Sequence, residues 1–186
     1  MVERYKSQFM ETFISELKSN MQIISNILEK NNIDFCFVGG ATLIGYNYRR
    51  TTDDIDILVS KMNKNKLMSL KGRYFKPAFQ GAKRKFIWNN PQIKIDILFS
   101  GDEKKSLVFE EPKEISVILN GVPVISLEKL IEHKLASGTF SSDRYKDLAD
   151  VQELIRINKL HKNYGSNFRE DLEQVYIKIW NDTAKE

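Results

Sequence analysis

One short segment constrains the fold of this 186-residue chain more than any other. The apolar run at residues 35–38 ends in Gly39-Gly40, and after eleven further residues the chain continues Thr-Asp-Asp-Ile-Asp-Ile-Leu-Val over residues 52–59. An apolar run closed by two glycines is typical of a buried strand followed by a tight turn. The second run has the residue pattern of another strand, so the segment predicts two strands joined through a glycine turn.

Composition places the chain among globular proteins, because 41% of its residues are hydrophobic and 29% are charged. That balance excludes a disordered or fibrous chain. The net charge of +4 permits a nucleotide or nucleic-acid partner without requiring one. Cys36 is the one cysteine, which excludes an internal disulfide and predicts a reducing, cytoplasmic setting. No apolar run approaches the roughly 18 residues of a membrane span, and the N-terminus lacks a secretory apolar core, so we expect no membrane partner.

Periodicity predicts an α/β chain with a helical C-terminal part. An apolar stripe from Phe9 to Leu28 predicts a helix in the first thirty residues. Asn120-Gly121 predicts the turn of a hairpin over residues 115–125, and Ser126 is the predicted N-cap of a helix over residues 127–137. We therefore expect an α/β core over residues 1–125 and a helical part over residues 126–186 that packs on the core and is not independent. The remaining predicted elements are a short helix at 41–48, strands at 54–59, 85–88 and 92–99, a turn at 89–92, and helices at 143–158 and 168–181.

Three aspartates are the candidate metal-ligating and catalytic residues. Residues i and i+2 of a strand share a face, so Asp54 and Asp56 are predicted to point the same way, while parity puts Asp53 on the opposite face. Two adjacent carboxylates repel each other unless a cation lies between them. Asp96 stands in the run QIKIDILF, a candidate neighbouring strand. Oxygen ligands of this kind suit Mg²⁺ or Mn²⁺, and three of them make a site for phosphoryl chemistry.

The glycine pair predicts a phosphate site beside these carboxylates. A Gly39-Gly40 turn between a strand and a helix lets a phosphate approach the backbone closely, and the helix N-terminus supplies N–H donors. Thr52 adds a hydroxyl that we expect near the same phosphates.

At this point the sequence resembles a known family. The run VGGATLIGYNYRRTTDDIDILV is similar to the signature of the nucleotidyltransferase (polymerase-beta-like) superfamily. The run ISLEKLIEHKLASGTFSSDRYKDLADVQELI resembles the helical part of small bacterial members, the minimal nucleotidyltransferases and the AbiEii-type toxins. The resemblance implies the nucleotidyltransferase fold, a small mixed sheet flanked by helices. Many members have serine at the position of Gly40. The resemblance also implies a nucleotide bordered by Arg50, Lys134, Arg144, Lys146, Asp147 and Asp150.

The activity that this resemblance implies is Mg²⁺-dependent transfer of a nucleoside monophosphate from an NTP, such as ATP, to a hydroxyl. Asp54 and Asp56 would hold the metal, and Asp96 would complete the site and take the proton of the acceptor. The acceptor stays open between RNA or tRNA, a protein and a small hydroxylated antibiotic. The protein could also be a toxin with an antitoxin partner. The alternative from another class is a non-catalytic nucleotide- or RNA-binding module on the same fold.

Other residues allow both a functional and a structural interpretation. Residues 61–85 contain nine basic residues and no acidic one, with Tyr74, Phe75 and Phe79 between them. Such a segment is either a solvated face or an RNA-binding surface. Its candidate RNA contacts are Lys64, Lys66, Arg73 and Arg84. Asp150 is expected to pair with Arg144 or Lys146 on a helix surface. Lys134 is alternatively a snorkelling lysine. His133 and His161 lack the further ligands of a zinc site, so zinc is not expected.

Overall fold

The structure is a computed structural model that describes residues 2–52, 54–70, 72–75, 84–88, 94–104, 106–141 and 145–184. Asp53, Arg144 and the predicted turn at 89–92 lie outside the described residues.

Seven of the described strands form one mixed sheet. Two parallel pairings in it join strands that are distant in sequence, and the others are antiparallel. The strands are β1 (Phe35–Val38), β2 (Ile55–Val59), β3 (Gly72–Phe75), β4 (Arg84–Trp88), β5 (Lys94–Phe99), β6 (Glu103–Lys104), β7 (Leu107–Val108), β8 (Ser116–Leu119) and β9 (Val122–Ile125). Their order in the main sheet is β3-β4-β5-β2-β1-β9-β8, and β6 pairs with β7 separately. The sheet is thus the mixed one that the resemblance implies.

Helices cover both faces of this sheet. They are α1 (Val2–Lys30), α2 (Lys64–Ser69), α3 (Pro112–Ile115), α4 (Leu127–Thr139), α5 (Tyr145–Asn158) and α6 (Glu170–Thr183), with 3₁₀-helices at Gly39–Tyr46, Lys61–Asn63 and Lys162–Gly165. Helices α1 and α2 bury their apolar side chains, such as Leu28 and Leu67, against one face. Helices α4, α5 and α6 bury Leu130, Val151 and Leu172 against the other.

Strand alternation assigns each residue of β2 to one of these two cores. Ile55 and Ile57 pack in the core under α1 and α2, whereas Leu58 packs under α4 to α6. Asp56 shares the face of Leu58, because residues two apart in a strand point the same way. The predicted split between apolar and acidic faces is confirmed, and the carboxylate side is the one covered by the C-terminal helices.

Most predicted elements form with small shifts of their ends. The hairpin turns at Asn120 and Gly121, which both have positive φ (52° and 79°) as a two-residue turn of this kind requires. Ser126 caps α4, since its Oγ accepts a hydrogen bond from the backbone N–H of Lys129. The stripe of α1 is buried from Leu17 onward, but Phe9 is exposed. Cys36 is a fully buried small side chain, and burial raises the pKa of its thiol.

No helix among the described residues is both long and apolar enough to cross a lipid bilayer.

Candidate active site

Backbone register brings two of the predicted aspartates together. Strands β2 and β5 are parallel neighbours, and Asp56 is the direct partner of Asp96. On either side, Val38 of β1 pairs with Asp56 and Lys85 of β4 pairs with Asp96, so the row runs across four strands. Partners in register project from the same face of a sheet. The row therefore places two carboxylates side by side, next to the residue that precedes the glycine turn.

A cavity of about 380 Å³ opens above this row. Its volume falls in the range of roughly 300–1,000 Å³ that is usual for small-molecule sites. The side chains at one end are mostly polar, and those at the other end are mostly apolar. The polar end is lined by Gly39, Gly40, Arg50, Thr52, Asp54, Asp56, Asp96, Lys134, Lys146 and Asp147, and the apolar end by Ile97, Leu98, Leu107, Phe109, Leu130, His133 and Ala136. Of the predicted site residues that the structure describes, all line this one cavity except Asp150, which is buried and bonds to Arg50 and Lys134.

The glycine turn is in close contact with the carboxylates. Gly39 has φ +69°, and a Cβ at this position would lie 2.6 Å from Oδ2 of Asp56. A Cβ at Gly40 would lie 2.8 Å from Oγ1 of Thr52 and 3.4 Å from a terminal guanidinium nitrogen of Arg50. Both positions therefore need glycine, the first for conformation and space and the second for space.

Arg50 and Lys134 are held by a buried acidic residue. Nε and Nη2 of Arg50 donate to the two carboxylate oxygens of Asp150 at 2.8 and 2.9 Å. Nζ of Lys134 donates to Asp150 at 2.6 Å and to Asp147 at 3.0 Å. The side chain of Asp150 is 1% exposed. Asp150 and Lys134 are therefore both buried and pair with each other. The interpretation of Asp150 as a helix-surface partner of Lys146 or Arg144 is wrong. The interpretation of Lys134 as a snorkelling lysine is wrong for the same reason.

We expect Asp150→Asn to lower the free energy of unfolding by about 3–5 kcal/mol, because it leaves the buried Lys134 and the partly buried Arg50 without their shared carboxylate. Urea unfolding followed by circular dichroism measures this. Adding Lys134→Met to Asp150→Asn removes one of those cations, and the double variant should recover part of the loss. A loss below about 1 kcal/mol in the single variant would contradict the buried network.

The donor set at the polar end suits a hard divalent cation. Mg²⁺ in proteins is typically bound by one or two carboxylates together with substrate phosphates. Asp56 and Asp96 supply such a pair, and Asp54 lines the same cavity. Among the described residues, no three His, Cys, Asp or Glu side chains are close enough to hold an ion by themselves. The residues present therefore fit a cation that a substrate shares, rather than one held by protein ligands alone.

Sequence reasoning did not single out Lys85 or the apolar end of the cavity. Nζ of Lys85 lies 3.5 Å from Oδ1 of Asp96, and the position of Lys85 beside Asp96 follows only from the pairing of β4 with β5. At the apolar end, the rings of Phe109 and His133 pack edge to face, with centroids 5.2 Å apart. Burial, and to a smaller extent the Lys129 ammonium, lowers the pKa of His133 to about 4.

The basic segment divides between the two faces of the sheet. Helix α2 packs through Leu67 into the core under α1, so Lys64 and Lys66 lie across the sheet from the carboxylates. Lys66 donates a hydrogen bond to the carbonyl oxygen of Asn32 at the end of α1. Lys85, in contrast, lies on the carboxylate side. The side chains of Arg73 and Arg84 are outside the described part of the structure.

Solved structures with the same architecture are nucleotidyltransferase-like. An antigenic nucleotidyltransferase-like protein from Paracoccidioides brasiliensis superposes with a TM-score of 0.64 at 16% identity, over 92% of this chain and 90% of that one. The antibiotic-resistance factor ANT(2'')-Ia superposes in its solution structure with a TM-score of 0.56 at 15% identity, over 94% and 96% of the two chains. Its crystal structure with adenylyl-2''-tobramycin gives 0.53 at 15% identity, over 88% and 98%. No protein-family model matches this sequence, and no curated protein matches it significantly. The chain thus has the nucleotidyltransferase fold that its glycine pair and Asp-x-Asp strand predicted.

Proposed function

We propose that the protein is a metal-dependent nucleotidyltransferase, which transfers a nucleoside monophosphate from an NTP to a hydroxyl and releases pyrophosphate. The observation that carries the proposal is the register pair Asp56 and Asp96 beside the Gly39 turn, at the polar end of one cavity. A close backbone turn next to paired carboxylates supplies the two things such a transfer needs: a place for phosphates and a negative site for the cation that accompanies them.

The residues of the chain divide the reaction between them. The turn at Gly39 and Gly40 would admit the triphosphate against the backbone. The acceptor oxygen forms a bond to the α-phosphorus, and the bond from that phosphorus to the oxygen bridging to the β-phosphate breaks. Asp96 would receive the proton of the acceptor hydroxyl, and pyrophosphate leaves with the electron pair. Positioning and neutralisation of charge would supply most of the rate.

Asp54, Asp56 and Asp96 would hold Mg²⁺ or Mn²⁺ jointly with the phosphates of the NTP. When bound, the cation would neutralise the charge that develops on the phosphate oxygens during transfer.

The direct test supplies the purified protein with each of four NTPs labelled at the α-phosphate, Mg²⁺, and three acceptor pools: total RNA, protein and small hydroxylated compounds. Label transferred with release of pyrophosphate, and lost in EDTA, supports the proposal. Tight NTP binding without transfer to any pool would instead identify a non-catalytic nucleotide-binding module.

RNA is the acceptor class that the basic segment favours. Because Lys64 and Lys66 lie across the sheet from the carboxylates, only a long acceptor would contact them and the site together. We expect the double variant Lys64→Glu and Lys66→Glu to have a shallower salt dependence of RNA binding: the slope of log K against log salt should fall by about two. NTP affinity should stay the same. Filter binding at several salt concentrations measures the slope.

Transfer to a small compound predicts a different result in the same assay. ANT(2'')-Ia was solved in complex with adenylyl-2''-tobramycin, and a transfer of that kind here would place label in the small-molecule pool. The Lys64 and Lys66 variant would then retain full transfer at every salt concentration, and the RNA proposal would be rejected while the metal site remained. Label in protein alone would also reject RNA.

A further inference from the structure

The apolar end of the cavity has no part in the proposed phosphate chemistry, yet it is built as a defined wall. It continues the carboxylate face along β5, since Leu98 follows Asp96 by two residues and lies about 7 Å further along the strand. Leu107 and Phe109 approach it from the segment after β6. The polar and apolar ends thus share one floor, the same face of β5.

Helix α4 forms the opposite side over both ends. Its residues Leu130, His133, Lys134 and Ser137 recur at three- and four-residue spacing and all line the cavity, so they form one stripe of the helix. Lys134 belongs to the polar end through its contact with Asp147, while His133 faces the apolar end against Phe109. A molecule whose charged part lies at the glycine turn would therefore pass across α4 from Lys134 toward His133.

Hydrogen bonds from the end of β5 hold this wall in place. The backbone of Phe109 donates to the carbonyl of Asp102 at 3.0 Å and accepts from the N–H of Gly101 at 2.8 Å. A side-chain oxygen of Asp102 accepts in turn from the N–H of Phe99, the last residue of β5. Such a wall is already arranged before binding, which lowers the entropy that a ligand must lose.

His133 is the polar group of this wall. Burial lowers its pKa to about 4, so at neutral pH its ring is uncharged and carries one N–H donor and one acceptor nitrogen. In the described part of the chain, neither ring nitrogen makes a hydrogen bond to another residue. An apolar surface with one donor and one acceptor suits the apolar faces and the polar edge of a nucleobase.

We infer that this end of the cavity is the nucleobase subsite of the NTP, with Phe109 and the leucines packing on the base and His133 reading its edge by hydrogen bonding. The inference rests on the proposed function and extends it, because it makes His133 a residue that determines which of the four bases is accepted.

The test compares His133→Phe and His133→Gln with the wild-type protein. The phenylalanine keeps the ring against Phe109 and removes both nitrogens, whereas the glutamine retains a donor and an acceptor. Calorimetric titrations with α,β-methylene analogues of the four NTPs, and with inorganic tripolyphosphate, are made in Mg²⁺. His161→Phe, at the chain's other histidine, is the matched control. Thermal melting establishes that each variant is folded.

We expect wild type to prefer one base, and His133→Phe to lose about tenfold in affinity for it, the effect of one hydrogen bond. The four affinities should converge, while tripolyphosphate affinity stays within twofold. His133→Gln should restore part of the preference, and His161→Phe should change nothing.

Three results would overturn the inference. If wild type binds tripolyphosphate and the four analogues without preference, the subsite is wrong while the proposed phosphate site stands. The same follows if folded His133→Phe and His133→Gln both retain the wild-type preference. If wild type binds neither NTP nor tripolyphosphate, the proposed function itself fails, and the subsite fails with it.

Discussion

Asp54→Asn and Asp56→Asn should each reduce nucleotide transfer to background while the protein stays folded. An amide cannot supply the negative charge that a shared cation needs, and Asp56 is half of the register pair with Asp96. Replacing one of several neighbouring carboxylates also relieves repulsion, so the free energy of unfolding should stay within about 1 kcal/mol of wild type or rise slightly. Transfer of label from NTP, together with urea unfolding, measures both quantities.

Asp34→Asn is the matched control for these two variants. Asp34 precedes β1 at the end away from the glycine turn, and its half-exposed carboxylate pairs with Lys113 at 2.7 Å. It should transfer at the wild-type rate. Asp53→Asn is a second control. Strand parity puts Asp53 on the face opposite Asp54 and Asp56, so this variant should also transfer at nearly the wild-type rate; Asp53 itself lies outside the described residues. Near-normal turnover in Asp54→Asn or Asp56→Asn, in a protein whose wild type transfers label, would remove these carboxylates from the reaction.

The second large effect is expected for Gly39→Ala. Its Cβ would lie 2.6 Å from the carboxylate oxygen of Asp56, at a φ of +69° that alanine adopts with a cost of roughly 1–2 kcal/mol. To relieve the contact, either the turn or the Asp56 side chain must move. We therefore expect NTP affinity to fall at least about tenfold and transfer to be lost. Gly39→Val, which is branched, should have the larger effect.

Gly101→Ala is the control that separates the effect of the Gly39 contact with Asp56 from the effect of backbone strain. Gly101 also has positive φ, +76°, but the nearest atom to its added Cβ is a side-chain carbon of Lys61 at 4.0 Å. Both alanine variants should therefore lose the stability that the strained φ costs, with any further loss in Gly39→Ala coming from the contact, and only Gly39→Ala should lose NTP binding by calorimetry. Equal NTP affinity in the two folded variants would move the phosphate site away from the glycine turn.

Local sequence patterns were sufficient for the elements around the site. The glycine pair after an apolar run, the alternation in β2 and the Asn120-Gly121 turn each depend on residues that are neighbours in the chain, so their conformation follows from local sterics. The same alternation predicted that Ile55 and Ile57 are buried, which the structure confirms.

The partners of the buried charges were not predictable in this way. Arg50 and Asp150 are 100 residues apart in sequence and meet only because α5 packs over the sheet beside the loop that carries Arg50. A spacing rule on α5 instead suggests a surface pair with Lys146. The helix pattern does not indicate which side chains are covered, and desolvation decides which pairs form in the interior.

Local backbone geometry is therefore enough to predict the strand-turn-strand unit and the shared face of Asp54 and Asp56, whereas the fold was implied by the resemblance of these motifs to a known family. Tertiary structure alone decided that Asp96 is the register partner of Asp56, that Lys85 lies next to it, and that α4 brings His133 over the same cavity. The reason is physical: strand order and helix packing are set by burying apolar faces that are far apart in the chain, and no local pattern encodes which distant faces meet.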